Sequence, residues 1–307
     1  MTAGGAAALA GLLLLGGCSL TRLGTRVMEA QARHQGLEEH FTTSSTARIR
    51  YWKGGTGPPM LVLHGFGGDG LSTWRPNLAP LMAERTLIVP DLPWFGQSGS
   101  SLYPGLLAVA RAMLDLLDQE GIARTDAMGV SYGGFVLTAM ETLRPGVFDG
   151  VAIVDSPGPA FGAADVAALC QRFGVAHPED IFLVDEPSDV QRLFDLTLHD
   201  QRRLPRFLLR DLQREVFTAN QEAQRLLMRD LPTHDGRPTD LSGWRSPLVV
   251  WGQFDPVFPL ASGQTLARQL GAALVVSPDT AHGPSTEDAA AFNAAVLAWL
   301  EGRDATR

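Results

Sequence analysis

Lysine is nearly absent from this 307-residue chain. Of its 25 basic residues only Lys53 is a lysine, and the remaining basic residues are arginines. Acidic residues outnumber basic ones, so the formal net charge is −8. Proteins that bind nucleic acid through its backbone need a basic stripe or patch, and the sequence contains no such cluster. We therefore expect no nucleic-acid partner.

Cysteine is almost as scarce, since the sequence has only Cys18 and Cys170. Two cysteines cannot form the framework of several bridges that stabilises small secreted domains. No group of His, Cys and carboxylate residues has the spacing of a metal site. No glycine-rich loop is followed by the lysine that contacts a nucleotide phosphate. The sequence therefore predicts no metal site and no cofactor.

The apolar run at residues 6–17 is shorter than the roughly 20 residues that a membrane-spanning helix needs. It has the length of the apolar part of a secretion signal. Its end at Cys18 resembles the lipobox of bacterial lipoproteins, which implies export, acylation of Cys18 and a membrane anchor in the cell envelope or periplasm. We therefore predict a lipoprotein-type signal peptide at residues 1–18. No Lys or Arg precedes Cys18, so the alternative is a leader with a plain thiol.

Strand and helix patterns alternate through most of the remaining chain. Short continuous apolar runs, typical of strands buried on both faces of a sheet, occur at residues 60–63, 86–89, 125–130, 151–154, 248–251 and 273–277. A hairpin at residues 39–53 precedes them, and stretches with helical spacing separate them. This alternation predicts the α/β class with a mostly parallel central sheet. We expect residues 19–38 to be a linker followed by a short helix.

The alternation stops between residues 156 and 244. Apolar residues in this segment recur at helical spacing, for example at Val166, Leu169 and Phe173. At about 90 residues the segment is too long for a structureless loop. We therefore predict a helical cap at residues 156–244, inserted between two parts of the core at residues 39–155 and 245–307.

The sequence around Ser131 indicates a nucleophile on a sharp turn. Ser131 directly follows a predicted strand, and glycines stand two residues away on either side, at Gly129 and Gly133. Such a turn has a strained backbone, and side chains at the glycine positions would clash. The turn exposes the serine hydroxyl and directs the backbone N–H of Tyr132 at a developing oxyanion.

Other residues with suitable chemistry also follow predicted strands. Asp255 follows the strand at 248–251, His282 follows the strand at 273–277, and Phe66 follows the strand at 60–63. The carboxyl ends of parallel strands meet at one edge of a sheet, where ligands bind. A rival to Asp255 is Asp155, which also stands at a strand end. His64 lies beside the site, where we expect a structural role.

Together these motifs resemble the α/β-hydrolase family. The resemblance covers the chain from about residue 39 to the last helix, and the loop at 64–69 with the helical cap is similar to bacterial lipases and esterases of the monoacylglycerol-lipase-like group. It implies the α/β-hydrolase fold and a triad of Ser131, Asp255 and His282. The backbone N–H groups of Phe66 and Tyr132 would form the oxyanion hole.

The predicted function is hydrolysis of carboxylic esters or lipids through an acyl-enzyme at Ser131. An apolar cap favours acyl chains, and Trp94, Phe95 and Phe161 are candidates for contact with the substrate, although Trp94 and Phe95 could equally be packing residues. One alternative is a C–C bond hydrolase with the same triad, and another is a non-catalytic lipid-binding protein. Dehalogenases and epoxide hydrolases have aspartate where this chain has Ser131.

Overall fold

The computed structural model of the protein describes residues 19–231, 241 and 243–305. Within these residues nine strands form a single sheet. They are β1 (Glu38–Thr43), β2 (Ala47–Gly54), β3 (Pro59–Leu63), β4 (Thr86–Pro90), β5 (Gly99–Ser100), β6 (Thr125–Val130), β7 (Phe148–Val154), β8 (Leu248–Gly252) and β9 (Ala273–Ser277). Each strand that an apolar run predicts is present, whereas the two-residue β5 has no recognisable pattern.

The sheet is parallel at its centre and antiparallel at one edge. Its main strands follow the order β1-β2-β4-β3-β6-β7-β8-β9, and β5 pairs with β2. Along this spatial order, all neighbouring strands from β4 to β9 are parallel. Strand β2 is antiparallel to β1, β4 and β5. The chain leaves β3 toward β4 on one side and continues at β6 on the other. The loops after β3 and β6 therefore diverge, and open α/β sheets bind ligands at such a point.

Helices cover both faces of this sheet. They are α1 (Leu20–His34), α2 (Gly70–Met82), α3 (Leu106–Gln119), α4 (Tyr132–Leu143), α5 (Ala163–Phe173), α6 (Glu179–Phe182), α7 (Pro187–Thr197), α8 (Arg206–Leu212), α9 (Gln221–Asp230), α10 (Leu260–Leu270), α11 (Pro284–Glu287) and α12 (Ala289–Asp304), with a π-helix at Gln213–Phe217. In β3, Leu61 and Leu63 pack under α3, α4 and α10. Met60 and Val62 pack on the opposite face under α2 and α12. This alternation explains why the whole run is apolar.

The segment between β7 and β8 is helical in its described part, where α5 to α9 lie. Its side chains Leu169, Ile181 and Leu227 join the main hydrophobic core on the α4 side of the sheet. Val190 and Leu209 instead form a small cluster of their own with Val184. These helices therefore pack on the sheet domain and also on one another.

Residues 19–38 differ from the expected linker, because α1 begins at Leu20 and runs for 15 residues. Ser19 caps this helix and its hydroxyl donates to Asp211 Oδ2 at 3.0 Å. The backbone N–H of Thr21 donates to the same oxygen at 2.7 Å. The polar residues that suggest a linker are thus the cap and contacts of a docked helix. None of the helices in the described ranges is long and apolar enough to cross a membrane.

Candidate active site

Ser131 lies between β6 and α4 in a strained backbone conformation, with φ of 51° and ψ of −117°. Its N–H donates to Val154 O on the neighbouring strand at 2.9 Å. A Cβ atom at Gly129 would lie 2.7 Å from Gly133 C, and one at Gly133 would lie 2.6 Å from Leu63 O. Only glycine fits at either position, as the sequence predicts. The turn holds Ser131 at the edge of the sheet with its side chain partly exposed.

His282 and Asp255 form a buried hydrogen-bonded pair. The His282 Nδ1 to Asp255 Oδ2 distance is 2.8 Å. The other oxygen of Asp255 accepts from the backbone N–H groups of Val257 at 2.8 Å and Phe258 at 3.0 Å. Those two bonds fix the carboxylate, so that it sets the orientation and tautomer of the imidazole. His282 lines the same cavity as Ser131, so the candidate base and the candidate nucleophile border one space.

Asp155, the rival acid, stands next to this pair but makes different contacts. It is fully buried, and its Oδ1 accepts from Gly252 N at 2.8 Å. Its Oδ2 has no hydrogen-bond partner among the described residues. Burial, reinforced by the negative charge of Asp255, raises the pKa of Asp155 well above its usual value. Asp155 therefore keeps its proton to a higher pH than an exposed aspartate does, and the geometry favours Asp255 as the partner of His282.

Asp155, Asp255 and His282 also form a group whose potential ligand atoms lie within 4.8 Å of one another. The spacing in the sequence gives no sign of this group, because the three residues follow three different strands. The Nδ1 of His282 and both oxygens of Asp255 are already engaged in hydrogen bonds. We therefore assign the group to acid–base chemistry.

The loop after β3 approaches Ser131 from the other side. A Cβ atom at Gly65 would lie 3.3 Å from Ser131 Cβ. Within the part of the chain that the structure describes, the N–H groups of Phe66 and Tyr132 donate to no protein acceptor. Both are therefore free to bind an oxyanion.

His64 holds this loop in place. Leu92 N donates to its Nε2 at 2.9 Å, so its Nδ1 carries the proton and donates to Gly65 O at 2.7 Å. Burial lowers the pKa of His64, which keeps the ring neutral. His64 thus links the loop after β3 to the loop after β4, which agrees with the expected structural role.

Two cavities meet at Ser131. The first is about 20 Å³ and almost wholly apolar. Its lining residues include Phe66, Tyr132, Phe135, Phe161, Leu169, Phe182, Met228 and Phe258. The second is about 370 Å³, more open, and lined by His282 together with residues such as Thr73, Phe182, Leu193, Thr197 and Phe217. Most of the helical residues in both linings have only ordinary helical apolar spacing in the sequence, which does not mark them as functional.

The predicted substrate residues fall in different places. Phe161 lines the small cavity with Ser131. Trp94 and Phe95 are outside both cavities at Ser131 and line a third one, of about 360 Å³, beside α1. Phe95 packs edge-on against the ring of Phe66 with centroids 5.2 Å apart, which supports the packing alternative. Cys18 lies outside the described residues.

The chain belongs to the α/β-hydrolase family. Residues 60–295 match the family model described as "Alpha/beta hydrolase family". The strained serine, the buried histidine–aspartate pair and the mostly parallel sheet are all features of this fold.

Among curated proteins, the chain is similar to the "Dihydrolipoyllysine-residue acetyltransferase component of acetoin cleaving system" of Pseudomonas putida, with 31% identity over 80% of this chain and 64% of that protein. The chain therefore spans less than two thirds of that relative. It is 26% identical to "Lipase 3" of Moraxella sp. over 76% of this chain and 74% of the lipase. It is also 27% identical to "2-hydroxy-6-oxo-6-phenylhexa-2,4-dienoate hydrolase" of Comamonas testosteroni over 83% and 92% of the two chains.

Among solved structures, a bacterial "membrane phospholipase A" superposes with a TM-score of 0.78 at 23% identity, covering 97% of this chain and 96% of that one. At this identity the likeness concerns the fold. The protein is thus an α/β-hydrolase with lipase relatives.

Proposed function

We propose that the protein hydrolyses carboxylic esters through an acyl-enzyme formed on Ser131. The observation that carries this proposal is the 2.8 Å bond from His282 to Asp255, with His282 in the same cavity as the strained Ser131. His282 Nε2 takes the hydroxyl proton as Ser131 Oγ attacks the ester carbonyl, and Asp255 offsets the charge of the imidazolium. The N–H groups of Phe66 and Tyr132 stabilise the oxyanion. Water activated by His282 then releases the acid.

The two cavities support a placement of the two sides of the ester. Imidazolium donates its proton to the leaving oxygen, so the alcohol lies on the side of His282. His282 lines only the 370 Å³ cavity, which therefore takes the alcohol. The acyl chain enters the apolar cavity of about 20 Å³. This arrangement favours short acyl chains joined to a larger alcohol and gives less support to long-chain monoacylglycerols.

The C–C hydrolase alternative has a relative in its favour, but the lining of the site favours esters. A dienoate substrate carries a carboxylate, which a site normally pairs with Arg or Lys. Among the described residues, neither cavity at Ser131 is lined by an arginine or lysine. An uncharged ester needs no such partner.

The test is turnover of p-nitrophenyl butyrate by the wild type and by Ser131→Ala. We expect the variant to lose at least about a thousandfold in kcat. Activity on a vinylogous dienoate without activity on any simple ester would favour the C–C hydrolase. Near wild-type ester turnover by Ser131→Ala would refute the proposal.

We also propose export and acylation at Cys18, which rest on the lipobox-like sequence alone. The expected result is a processed chain whose mass includes acyl groups and whose processing is sensitive to globomycin. An unmodified full-length chain in the native host would contradict this.

A further inference from the structure

The exposed apolar side chains of this protein are concentrated in one region. Nine large hydrophobic residues are exposed in the described part of the chain, and five of them lie on α1 or at residues 207–216. These five are Leu20 (48% exposed), Leu23 (51%), Val27 (50%), Phe207 (60%) and Val216 (42%). Scattered exposed apolar residues need no explanation, but a contiguous group on one surface usually marks an interaction site.

Contacts between the two elements place these residues on one surface. Leu20, Leu23 and Val27 follow the i, i+3, i+7 spacing that forms one stripe along a helix. Asp211 of α8 accepts hydrogen bonds from Ser19 and Thr21 at the start of α1. Phe207 lies four residues before Asp211 and therefore on the same side of α8.

Val216 completes the surface. Its neighbour Glu215 pairs with Arg22 of α1, with Nε and Oε2 2.5 Å apart. Val216 also lines the 360 Å³ cavity together with Arg22 and Arg26. We call the five apolar residues, with their flanking arginines, the α1–α8 surface.

The flanking arginines indicate what this surface contacts. Arg26, Arg206 and Arg210 are exposed, and none has an acidic partner within the described ranges. The chain as a whole has a net charge of −8, so a group of unpaired cations beside an apolar stripe is a local exception. Apolar side chains flanked by arginine bind the interface of membranes that contain anionic lipids, where the apolar groups enter the headgroup region and the cations meet phosphates.

The position of the α1–α8 surface relative to the active site is consistent with a lipid bilayer as its binding partner. The cavity beside α1 and the cavity that contains Ser131 share Gly67, Gly68 and Phe217 in their linings. A bilayer on the α1–α8 surface would therefore lie next to the route to Ser131.

We propose that the α1–α8 surface docks the protein onto anionic phospholipid bilayers, independently of any acyl group on Cys18. Burial of the apolar stripe and contact of the arginines with lipid phosphates contribute together. Binding therefore increases with the fraction of anionic lipid and decreases with salt.

The experiment is sedimentation of the full chain with vesicles, with Cys18→Ser in every sample to remove acyl groups. We expect stronger binding to phosphatidylcholine vesicles with 30% phosphatidylglycerol than to pure phosphatidylcholine. Leu23→Gln with Val27→Gln should lower the partition coefficient about tenfold or more. Arg26→Gln should lower it about fivefold on anionic vesicles only.

Matched controls are Tyr103→Gln, which removes another exposed apolar side chain (77% exposed), and Arg111→Gln, which removes an exposed arginine of α3. Both should bind like the parent, and all variants should turn over a soluble ester at the parent rate. Equal binding by the α1–α8 variants and their controls would overturn the proposal. The proposal would also be overturned if the protein did not bind vesicles and instead formed a dimer that Leu23→Gln with Val27→Gln dissociates.

Discussion

The residues at the carboxyl edge of the sheet and those of the helices between β7 and β8, which cover this edge, are held in place by different means. At the edge, backbone hydrogen bonds fix Ser131 and Asp255, and close packing requires glycine at Gly129 and Gly133. In the covering helices, the residues that reach the cavities are held chiefly by apolar packing, as with Leu193, which is only partly buried. The edge therefore determines which reaction occurs, and the helices determine which ester reaches it. Substitutions at the edge should therefore change kcat for every ester, and substitutions in the helices should change the selectivity among esters.

The largest effect beyond loss of Ser131 is expected for Asp255→Asn. The amide keeps an oxygen for the N–H groups of Val257 and Phe258 but presents its NH₂ to His282, so the imidazole adopts the wrong tautomer. We expect kcat to fall about 10²- to 10⁴-fold for every ester in a chain-length series, measured by steady-state kinetics.

Asp155→Asn is the matched control for that change. Asparagine keeps the acceptor for Gly252 N and, like the protonated acid that the raised pKa favours, carries no charge. Turnover should stay within about threefold of the wild type, the size of one perturbed neutral hydrogen bond. If Asp155→Asn instead abolished activity and Asp255→Asn did not, Asp155 would be the triad acid.

A substitution in the covering segment should change selectivity and leave the chemistry intact. Phe161 packs against Phe135 and Phe258 in the wall of the small cavity. Phe161→Leu widens this wall, so the ratio of kcat/KM for p-nitrophenyl octanoate to that for the acetate should rise about tenfold. Phe41→Leu, on the exposed side of β1, is the control. An unchanged ratio would indicate that the acyl chain binds in the larger cavity.

The smallest expected effect is on the pH dependence of stability. The raised pKa of Asp155 means that the folded state binds this proton more tightly than the unfolded chain. Its stabilising contribution is complete below the usual aspartate pKa, about 3.9, and is lost as the pH rises through the raised pKa. Asp155→Asn does not titrate, so its Tm relative to wild type should increase with pH. Parallel Tm profiles would contradict a raised pKa for Asp155.

Sequence reasoning succeeded where local chemistry restricts the residue type. The strained turn at Ser131 requires glycines, and strands buried on both faces require continuous apolar runs, so the fold and the strand-end residues were predictable. The residue pattern left Asp155 as a rival to Asp255, since both follow strands, and the direction of the side chain in the structure is what separates them.

The residues of the two cavities were also beyond sequence reasoning. Phe182, Leu193 and Phe217 reach the site through packing between helices, which residue spacing within one helix does not specify. Trp94 and Phe95 illustrate the same difficulty, because their position at a strand end places them near the site but on the far side of Gly67 and Gly68.

Activation of Ser131 by the edge of the sheet can be measured with a fluorophosphonate, which reacts quickly only with an activated serine. The readout is the mass of tryptic peptides after brief treatment. We predict one adduct, on the peptide that contains Ser131, absent from Ser131→Ala and formed far more slowly in Asp255→Asn. Labelling of another residue, or equal labelling of Asp255→Asn and the wild type, would show that the edge of the sheet does not activate Ser131.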